Sequence, residues 1–327
     1  ARGAAVVIAV LVASVVAGAT YGLANLMFSY ALDAQAKHSM LRSGRDDGKV
    51  ADKGPRLDAA EEVEAADWFD QSKQPVVISA EDGIQLHGWL FDPDCAGAKP
   101  HLYAICCHGY SGQPQDMAKY AHRFARLGFT VLVPALRGHG LSEGRYAGMG
   151  WLDRRDLMRW ISLIIDSDAD ARILLQGKSM GAAAVMMTVG EPDLPRNVVA
   201  AVEDCGYASV GQQFIDCARS MFHLPKFLAK PIVTTMGAIA RRRAGYGFQE
   251  ASCVEQLKHA TIPMLFIHGG ADDFVPSRAL DENFDACASI DRQKLLIPSA
   301  GHSMSASTAP VVYWKTVTNF VTRVFGL

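Results

Sequence analysis

The sequence has few of the patterns that mark several protein classes. Its 327 residues carry a net charge of -2, so it lacks the basic excess of nucleic-acid-binding faces. The tight basic cluster Arg241-Arg242-Arg243 is more typical of a solvated helix face than of a phosphate site. The seven cysteines show no C-x-x-C spacing and are odd in number, which indicates neither a disulfide framework nor a zinc site. No internal repeat or low-complexity tract is present.

Charge is also absent from residues 3–32, and residues 6–16 are almost continuously aliphatic. About 20 such residues cross a bilayer core as one helix, and the aromatic residues near the end of the stretch suit the interface. The sequence therefore predicts a transmembrane anchor over residues 1–32. A cleaved signal peptide is the alternative, because Ala17-Gly18-Ala19 and Ala34-Gln35-Ala36 resemble cleavage sites. The sequence does not indicate on which side of the membrane the rest of the chain lies, because basic residues follow the span as well.

Residues 33–74 are polar, and their second half is acidic and helix-like. We interpret them as a linker that docks through Trp68 and Phe69. A globular domain over residues 75–327 follows. Because a polar linker intervenes, we expect residues 4–28 to hold the protein in the membrane and to contribute nothing to the catalytic core.

Apolar runs alternate with helix-length segments through this domain. Residues 76–78 and 84–91 flank Glu81-Asp82-Gly83 and predict a hairpin. Further predicted strands lie at 102–107, 129–134, 172–176, 198–202, 264–267 and 294–297, and predicted helices lie at about 114–127, 151–166, 277–287 and 310–325. This alternation predicts an α/β fold, with a mainly parallel sheet covered by helices on both faces.

The motif Gly177-x-Ser179-x-Gly181 lies between one of these strands and a run of small residues. In a strand–turn–helix unit this spacing makes a nucleophile elbow, a sharp turn that projects the serine hydroxyl above the sheet edge. The Met180 N–H would then lie at a helix N-terminus, where it can stabilise an oxyanion. A serine nucleophile also needs a base and an acid that orients it. Asp272-Asp273 and His302 follow two later strands, at the carboxyl ends where parallel sheets keep their sites.

Five signatures occur in order along the chain: His108-Gly109, Arg137-Gly138-His139-Gly140-x-Ser142, the elbow, His268-Gly269-x-x-Asp272-x-x-Val275-Pro276 and Gly301-His302. With them, residues 75–327 resemble a serine hydrolase of the α/β-hydrolase superfamily, of the bacterial membrane-anchored type. The resemblance implies Ser179 as nucleophile, Asp272 as acid and His302 as base. It also implies an oxyanion hole formed by the backbone N–H groups of Tyr110 and Met180.

Several residues compete for these roles. Asp273 neighbours Asp272, and Asp204 ends the strand after the elbow, where some members of the superfamily carry the acid. Each of three other histidines precedes a glycine in a tight turn, which is more typical of a structural role; they are His108, His139 and His268.

Two features bear on the substrate. Lys178 directly precedes the serine. Its ammonium could contact an anionic substrate, or it could be exposed to solvent while the aliphatic part of the side chain packs on the protein. The insertion at residues 206–258 is rich in Phe, Leu, Ile and Met. It could form a helical cap with an apolar acyl pocket, or its apolar residues could pack in the core.

The expected reaction is cleavage of a carboxylic, lipophilic acyl ester through an acyl-enzyme. A peptidase or an acyltransferase would use the same triad, and a non-catalytic membrane-anchored scaffold is the third possibility. The triad implies no metal or organic cofactor. The expected partners are a small-molecule ester and the membrane, with no nucleic acid; the oligomeric state is not indicated.

Overall fold

The computed structural model describes residues 2–41 and 54–327. Their centre is an eight-stranded sheet of order β1-β2-β4-β3-β5-β6-β7-β8. The strands are β1 (Gln74–Ser79), β2 (Gln85–Phe91), β3 (Leu102–Cys107), β4 (Thr130–Pro134), β5 (Arg172–Lys178), β6 (Val198–Asp204), β7 (Met264–Gly269) and β8 (Arg292–Ile297). β2 runs antiparallel to both neighbours, and β3 to β8 are parallel. The mainly parallel sheet predicted from the sequence is confirmed.

Helices of 4 to 31 residues flank the sheet. They are α1 (Arg2–Leu32), α2 (Ala59–Ser72), α3 (Ala118–Arg126), α4 (Trp151–Ser167), α5 (Met180–Val189), α6 (Val210–Phe222), α7 (Lys226–Arg243), α8 (Cys253–Leu257), α9 (Arg278–Ala286), α10 (Ser305–Thr308) and α11 (Pro310–Phe325). The predicted helix over 114–127 is a 3-10 turn at Pro114–Met117 followed by α3. The last helix has the predicted bounds, because Pro310 opens it and Gly326 closes it in a left-handed conformation.

The sheet separates two apolar clusters. α4, α5 and the segment between β6 and β7 pack on one face, and α2, α3 and α11 pack on the other. β5 is buried along nearly its whole length, as expected for a parallel strand with helices on both faces. This double cover fixes the carboxyl end of β5, where the serine lies.

Part of the expected linker is a packed helix. Within α2, Phe69 is fully buried, and the Trp68 ring stacks on that of Phe91 at 4.7 Å. Just before α2, the Asp58 carboxylate pairs with the buried Lys119 ammonium. The rest of the expected linker includes residues 42–53, which lie outside the described residues.

Helix α1 differs from the expectation of a segment separate from the domain. Val10, Val12 and Val16 are exposed, but Phe28 and Leu32 near its end are fully buried. The segment after the helix is bonded to the domain, because the Ala147 N–H donates to the Leu32 carbonyl at 2.9 Å and the Ala34 N–H to the Arg145 carbonyl at 2.7 Å. The physical reason is a continuous apolar surface shared by the last turns of α1 and by α7. The expectation that α1 contributes nothing to the core is therefore wrong for its C-terminal end.

Candidate active site

Ser179 lies at a sharp turn between β5 and α5. Its backbone has φ +55° and ψ -117°, a strained conformation for a residue with a side chain. A Cβ at Gly177 would lie 2.3 Å from the Gly181 carbonyl oxygen, and one at Gly181 would lie 2.2 Å from the Cys107 carbonyl oxygen. Only glycine fits at these two positions, which is why the turn can bring β5, α5 and β3 so close together.

A chain of hydrogen bonds runs from Ser179 to two residues of the C-terminal third. Ser179 Oγ lies 2.8 Å from His302 Nε2, and His302 Nδ1 lies 2.7 Å from Asp272 Oδ2. Asp272 follows β7 and His302 follows β8, so the three side chains come from the carboxyl ends of three parallel strands of one sheet, β5, β7 and β8. The structure thus brings together the three residues that sequence analysis singled out for the triad.

The Asp272 carboxylate is held from several sides. Its Oδ1 accepts hydrogen bonds from the N–H groups of Phe274 at 2.9 Å and Val275 at 2.8 Å. Burial by itself would raise the pKa of Asp272, but interactions with His268 and His302 outweigh it and lower the pKa. The carboxyl group therefore stays ionised and can orient the His302 imidazole.

The competing acids lie elsewhere. Asp204 is fully buried, and its carboxylate accepts a hydrogen bond from the Tyr313 hydroxyl at 2.9 Å. Its backbone carbonyl accepts from the Ser179 N–H at 2.8 Å, so Asp204 contacts the elbow through its main chain. The carboxylate bonded to the His302 ring is that of Asp272, not that of its neighbour Asp273.

The other three histidines bond to the backbone. His108 Nε2 accepts from the Leu136 N–H at 3.0 Å, and His139 Nε2 accepts from the Ser111 N–H at 3.1 Å. His268 Nε2 lies 3.0 Å from the Val275 carbonyl. Burial lowers the pKa of His108 to about 4, which keeps its ring neutral. These bonds tie together the loops that follow β3, β4 and β7.

Two backbone N–H groups were singled out as oxyanion donors. Met180 is the first residue of α5, so its N–H has no acceptor within the helix. Tyr110 lies in the loop after β3, next to Gly109, where an added Cβ would stand 3.3 Å from Ser179 Cβ. Within residues 2–41 and 54–327, the Tyr110 N–H makes no hydrogen bond. The loop therefore brings an uncommitted N–H group to the vicinity of the serine.

Two cavities meet at Ser179. The first, which we call the polar pocket, has a volume of about 460 Å³ and is bordered by polar side chains that include Gln113, Asp116, Lys119 and Lys178. Lys178 is half-buried, and its ammonium lies 5.8 Å from the centre of the Tyr120 ring. Its head therefore borders the pocket beside the serine instead of pointing away from the site.

The second cavity, which we call the apolar cleft, has a volume of about 70 Å³. The insertion between β6 and β7 supplies Phe214, Phe222 and Met236 to its walls. Other apolar residues of the insertion, such as Ile232, are buried in the core, while Phe227 is exposed. Residues of the insertion thus border the serine and also pack in the core; its role as a cap over an acyl pocket stays a prediction.

Among the described residues, one group has ligand atoms close enough to hold a metal ion: Cys205, Asp272 and His302. The two nitrogens of His302 already contact Ser179 and Asp272. The donor set suits proton transfer better than metal binding.

Sequence analysis missed the contribution of α1 to this region. Met27, Tyr30 and Ala31 line the apolar cleft together with Ser179, and the Tyr110 hydroxyl donates a hydrogen bond to the Ala31 carbonyl. A helix that is apolar on all sides shows no preferred face, so its sequence gives no signal of this packing. Phe274, whose ring centre lies 5.0 Å from that of His302, could have been found, because it lies inside the Asp272 signature.

The family model described as "Serine aminopeptidase, S33" matches residues 98–238. The matched region includes Ser179 and ends before Asp272 and His302. An uncharacterized protein of Mycobacterium tuberculosis is 29% identical over 230 residues, which is 70% of this chain and 72% of the relative. The uncharacterized protein YqkD of Bacillus subtilis is 26% identical over 255 residues, 77% of this chain and 81% of the relative.

Solved structures share the fold. The esterase Pf2001 of Pyrococcus furiosus superposes with a TM-score of 0.60 at 21% identity, over 77% of this chain and 92% of the esterase. The acylaminoacyl peptidase of Pyrococcus horikoshii gives a TM-score of 0.56 at 16% identity, over 77% of this chain and 42% of the peptidase. Family match, sheet order and structural likeness agree. The chain has the α/β-hydrolase fold.

Proposed function

We propose that this protein is a serine hydrolase that cleaves carboxylic esters through an acyl-enzyme. The observation that carries the proposal is the hydrogen-bond chain from Ser179 through His302 to Asp272. In the proposed first step Ser179 Oγ attacks the acyl carbon while His302 Nε2 takes its proton. The protonated imidazole then gives that proton to the leaving oxygen, which departs with the electron pair of the broken C–O bond. Water, activated by the same ring, releases the acid.

The negative charge that forms on the carbonyl oxygen needs donors close by. We assign this role to the N–H groups of Met180 and Tyr110, the first because it opens α5, the second because its loop lies against Ser179. Such preorganised donors lower the barrier for acyl transfer. Asp272 keeps the Nδ1 proton of His302 in place and stabilises the imidazolium.

An ester is favoured over a peptide by the two cavities at the serine. The apolar cleft suits an acyl chain, and the polar pocket suits a hydrophilic leaving group. A peptidase is the second candidate, because the matching family model is described as a serine aminopeptidase and one structural neighbour is a peptidase. Comparing p-nitrophenyl esters with aminoacyl p-nitroanilides on the full chain distinguishes the two. Faster cleavage of the anilides would favour the peptidase.

We also propose that α1 is retained as a membrane anchor. By length and composition, residues 9–32 could span a bilayer. Phe28 and Leu32 at the helix end pack in the core, which a cleaved signal peptide would not do, so the preceding, exposed residues of α1 would form the span. Intact-mass measurement on protein extracted from membranes tests this. A mature N-terminus near residue 20 or residue 37 would contradict it.

A further inference from the structure

The last turns of α1 are attached to the active-site face of the domain. Ala24, Phe28 and Leu32 lie on one side of the helix at i, i+4 and i+8 and are fully buried. The Arg243 guanidinium of α7 lies 5.6 Å from the centre of the Phe28 ring. Beyond the helix, Asp33 pairs with Arg145 at 2.9 Å. These contacts fix the position of the helix end relative to the insertion between β6 and β7.

The same helix end borders the apolar cleft. Met27, Tyr30 and Ala31 of α1 line it together with Phe222 and Met236 of the insertion, and Ser179 is also part of the lining. A chain bound in the cleft with its carbonyl carbon at the serine would contact helix α1. With a volume of about 70 Å³, the cleft is narrow, so one enlarged side chain on its wall changes the space appreciably.

Apolar surface continues outward from the cleft. Met221 and Phe222 line it and are about half exposed, at 48% and 53%. After the turn that follows, Phe227 and Leu228 are exposed as well. The earlier part of α1 is exposed and apolar too, so one continuous apolar element leads from the span of the bilayer to the serine. Exposed apolar patches of this kind mark membrane or ligand contacts.

The polar pocket, which also contacts Ser179, adds charged groups to an otherwise mixed lining. Lys178 and Lys119 border it together with Asp116 and Glu62. A substrate that has an apolar chain on one side of its ester and a hydrophilic group on the other matches both cavities at once. An amphiphile of this kind resides at a membrane surface, close to the point where the proposed span of α1 would leave the bilayer.

We propose that the C-terminal end of helix α1 is a wall of the acyl-binding site and that the substrate is an amphiphilic ester whose acyl chain enters from the bilayer along this helix. This inference depends on the proposed ester hydrolysis at Ser179. Met27 is then a specificity-determining residue, because its side chain limits the space for the chain. The helix is both the attachment to the membrane and part of the substrate site.

The test uses the full chain in detergent micelles and measures kcat/KM for p-nitrophenyl acetate and p-nitrophenyl octanoate. Met27→Trp narrows the cleft and should lower the ratio of octanoate to acetate about 10-fold or more, since a few methylene contacts are worth that much discrimination. Leu26→Trp is the matched control, because Leu26 neighbours Met27 on the helix but is 66% exposed. It should leave the ratio within about twofold.

Met27→Ala is the second variant, and it does not depend on fitting a larger side chain. It widens the cleft and should move the preferred chain length above that of the wild type. The inference would be overturned if the chain-length preference were unchanged in both Met27 variants. It would also be overturned if the octanoate-to-acetate ratio fell as much in Leu26→Trp as in Met27→Trp. Labelling by a fluorophosphonate probe separates this failure from failure of the proposed function: if the wild type is labelled and cleaves acetate while the preference does not move, only the role of α1 is refuted.

Discussion

The Tyr110 hydroxyl donates a hydrogen bond to the Ala31 carbonyl, which connects the loop beside the serine to the last turn of helix α1. Ala31 belongs to the final turn, where carbonyls have no partner within the helix. Burial raises the pKa of Tyr110 above its usual range, so the hydroxyl keeps its proton and remains a donor. The proposed oxyanion donor and the proposed anchor are thus joined through one residue.

Tyr110→Phe removes this hydrogen bond and keeps the ring. We expect kcat to fall several-fold with little change in KM, because the loop that carries the Tyr110 N–H loses a buried bond worth about 1 kcal/mol. The measurement is steady-state turnover of p-nitrophenyl acetate. Tyr146→Phe is the control, since its ring also contacts α1, at 5.4 Å from Phe28, away from the serine. Equal kcat in wild type and Tyr110→Phe would show that the bond does not position the loop.

Two truncations separate the membrane span from the packed end of α1. Deleting residues 1–19 removes only part of the exposed apolar length and should leave turnover of a water-soluble ester unchanged. Deleting residues 1–32 also removes Phe28 and Leu32, and buried side chains of this size each contribute about 2–5 kcal/mol. We expect a lower melting temperature and at least a ~10-fold loss of turnover.

Both truncations are assayed in the same detergent, so that solubility does not differ between them. If the protein without residues 1–32 keeps wild-type turnover and melting temperature, the helix end is not part of the site.

The acid assignment predicts a contrast between neighbours. Asp272→Asn should reduce kcat severely, by about 10⁴-fold as in a comparable triad, because the imidazole is left in the wrong tautomer. Asp273→Asn is the matched control at the next position and should keep most activity. Asp204→Asn should also keep most activity, since the Asp204 carboxylate bonds to Tyr313 and not to His302. If Asp204→Asn lost most of its turnover while Asp272→Asn stayed active, Asp204 and not Asp272 would be the acid.

Glu203 predicts a pH dependence of stability. Burial raises its pKa to about 8 in the folded protein, while an unfolded glutamate has a pKa of about 4.3. Between these values the folded state binds the extra proton, so the free energy of unfolding falls as pH rises from about 5 to 8. Melting temperatures over this range should fall less in Glu203→Gln than in the wild type. If the melting temperatures of Glu203→Gln and the wild type fell equally with pH, Glu203 would not be buried and protonated. The control is Glu255→Gln, because Glu255 is exposed.

Much of the fold could be predicted from local patterns. The elbow glycines predict a turn that only glycine allows, and the apolar runs at 102–107 and 264–267 predict strands because buried parallel strands are continuously apolar. The three residues linked by hydrogen bonds follow such strands, so their convergence could be expected from the sheet.

Contacts between distant segments could not be predicted in this way. Lys119 and Asp58 are 61 residues apart, and neither has a sequence context that indicates a buried pair. Helix α1 is apolar around its circumference, so its composition indicates a membrane span equally for the exposed Val16 and the buried Phe28. Which part of such a helix packs on the domain depends on the shape of the domain, which the helix sequence does not contain.

The identity of the nucleophile is the central claim, and covalent labelling tests it most directly. The full chain is treated with a fluorophosphonate probe, digested, and the modified peptide is identified by mass spectrometry, with Ser179→Ala treated in parallel. We predict a single adduct on Ser179, no labelling of the alanine variant and loss of ester turnover on the order of 10⁶-fold. An adduct on another residue, or wild-type labelling of Ser179→Ala, would contradict the account.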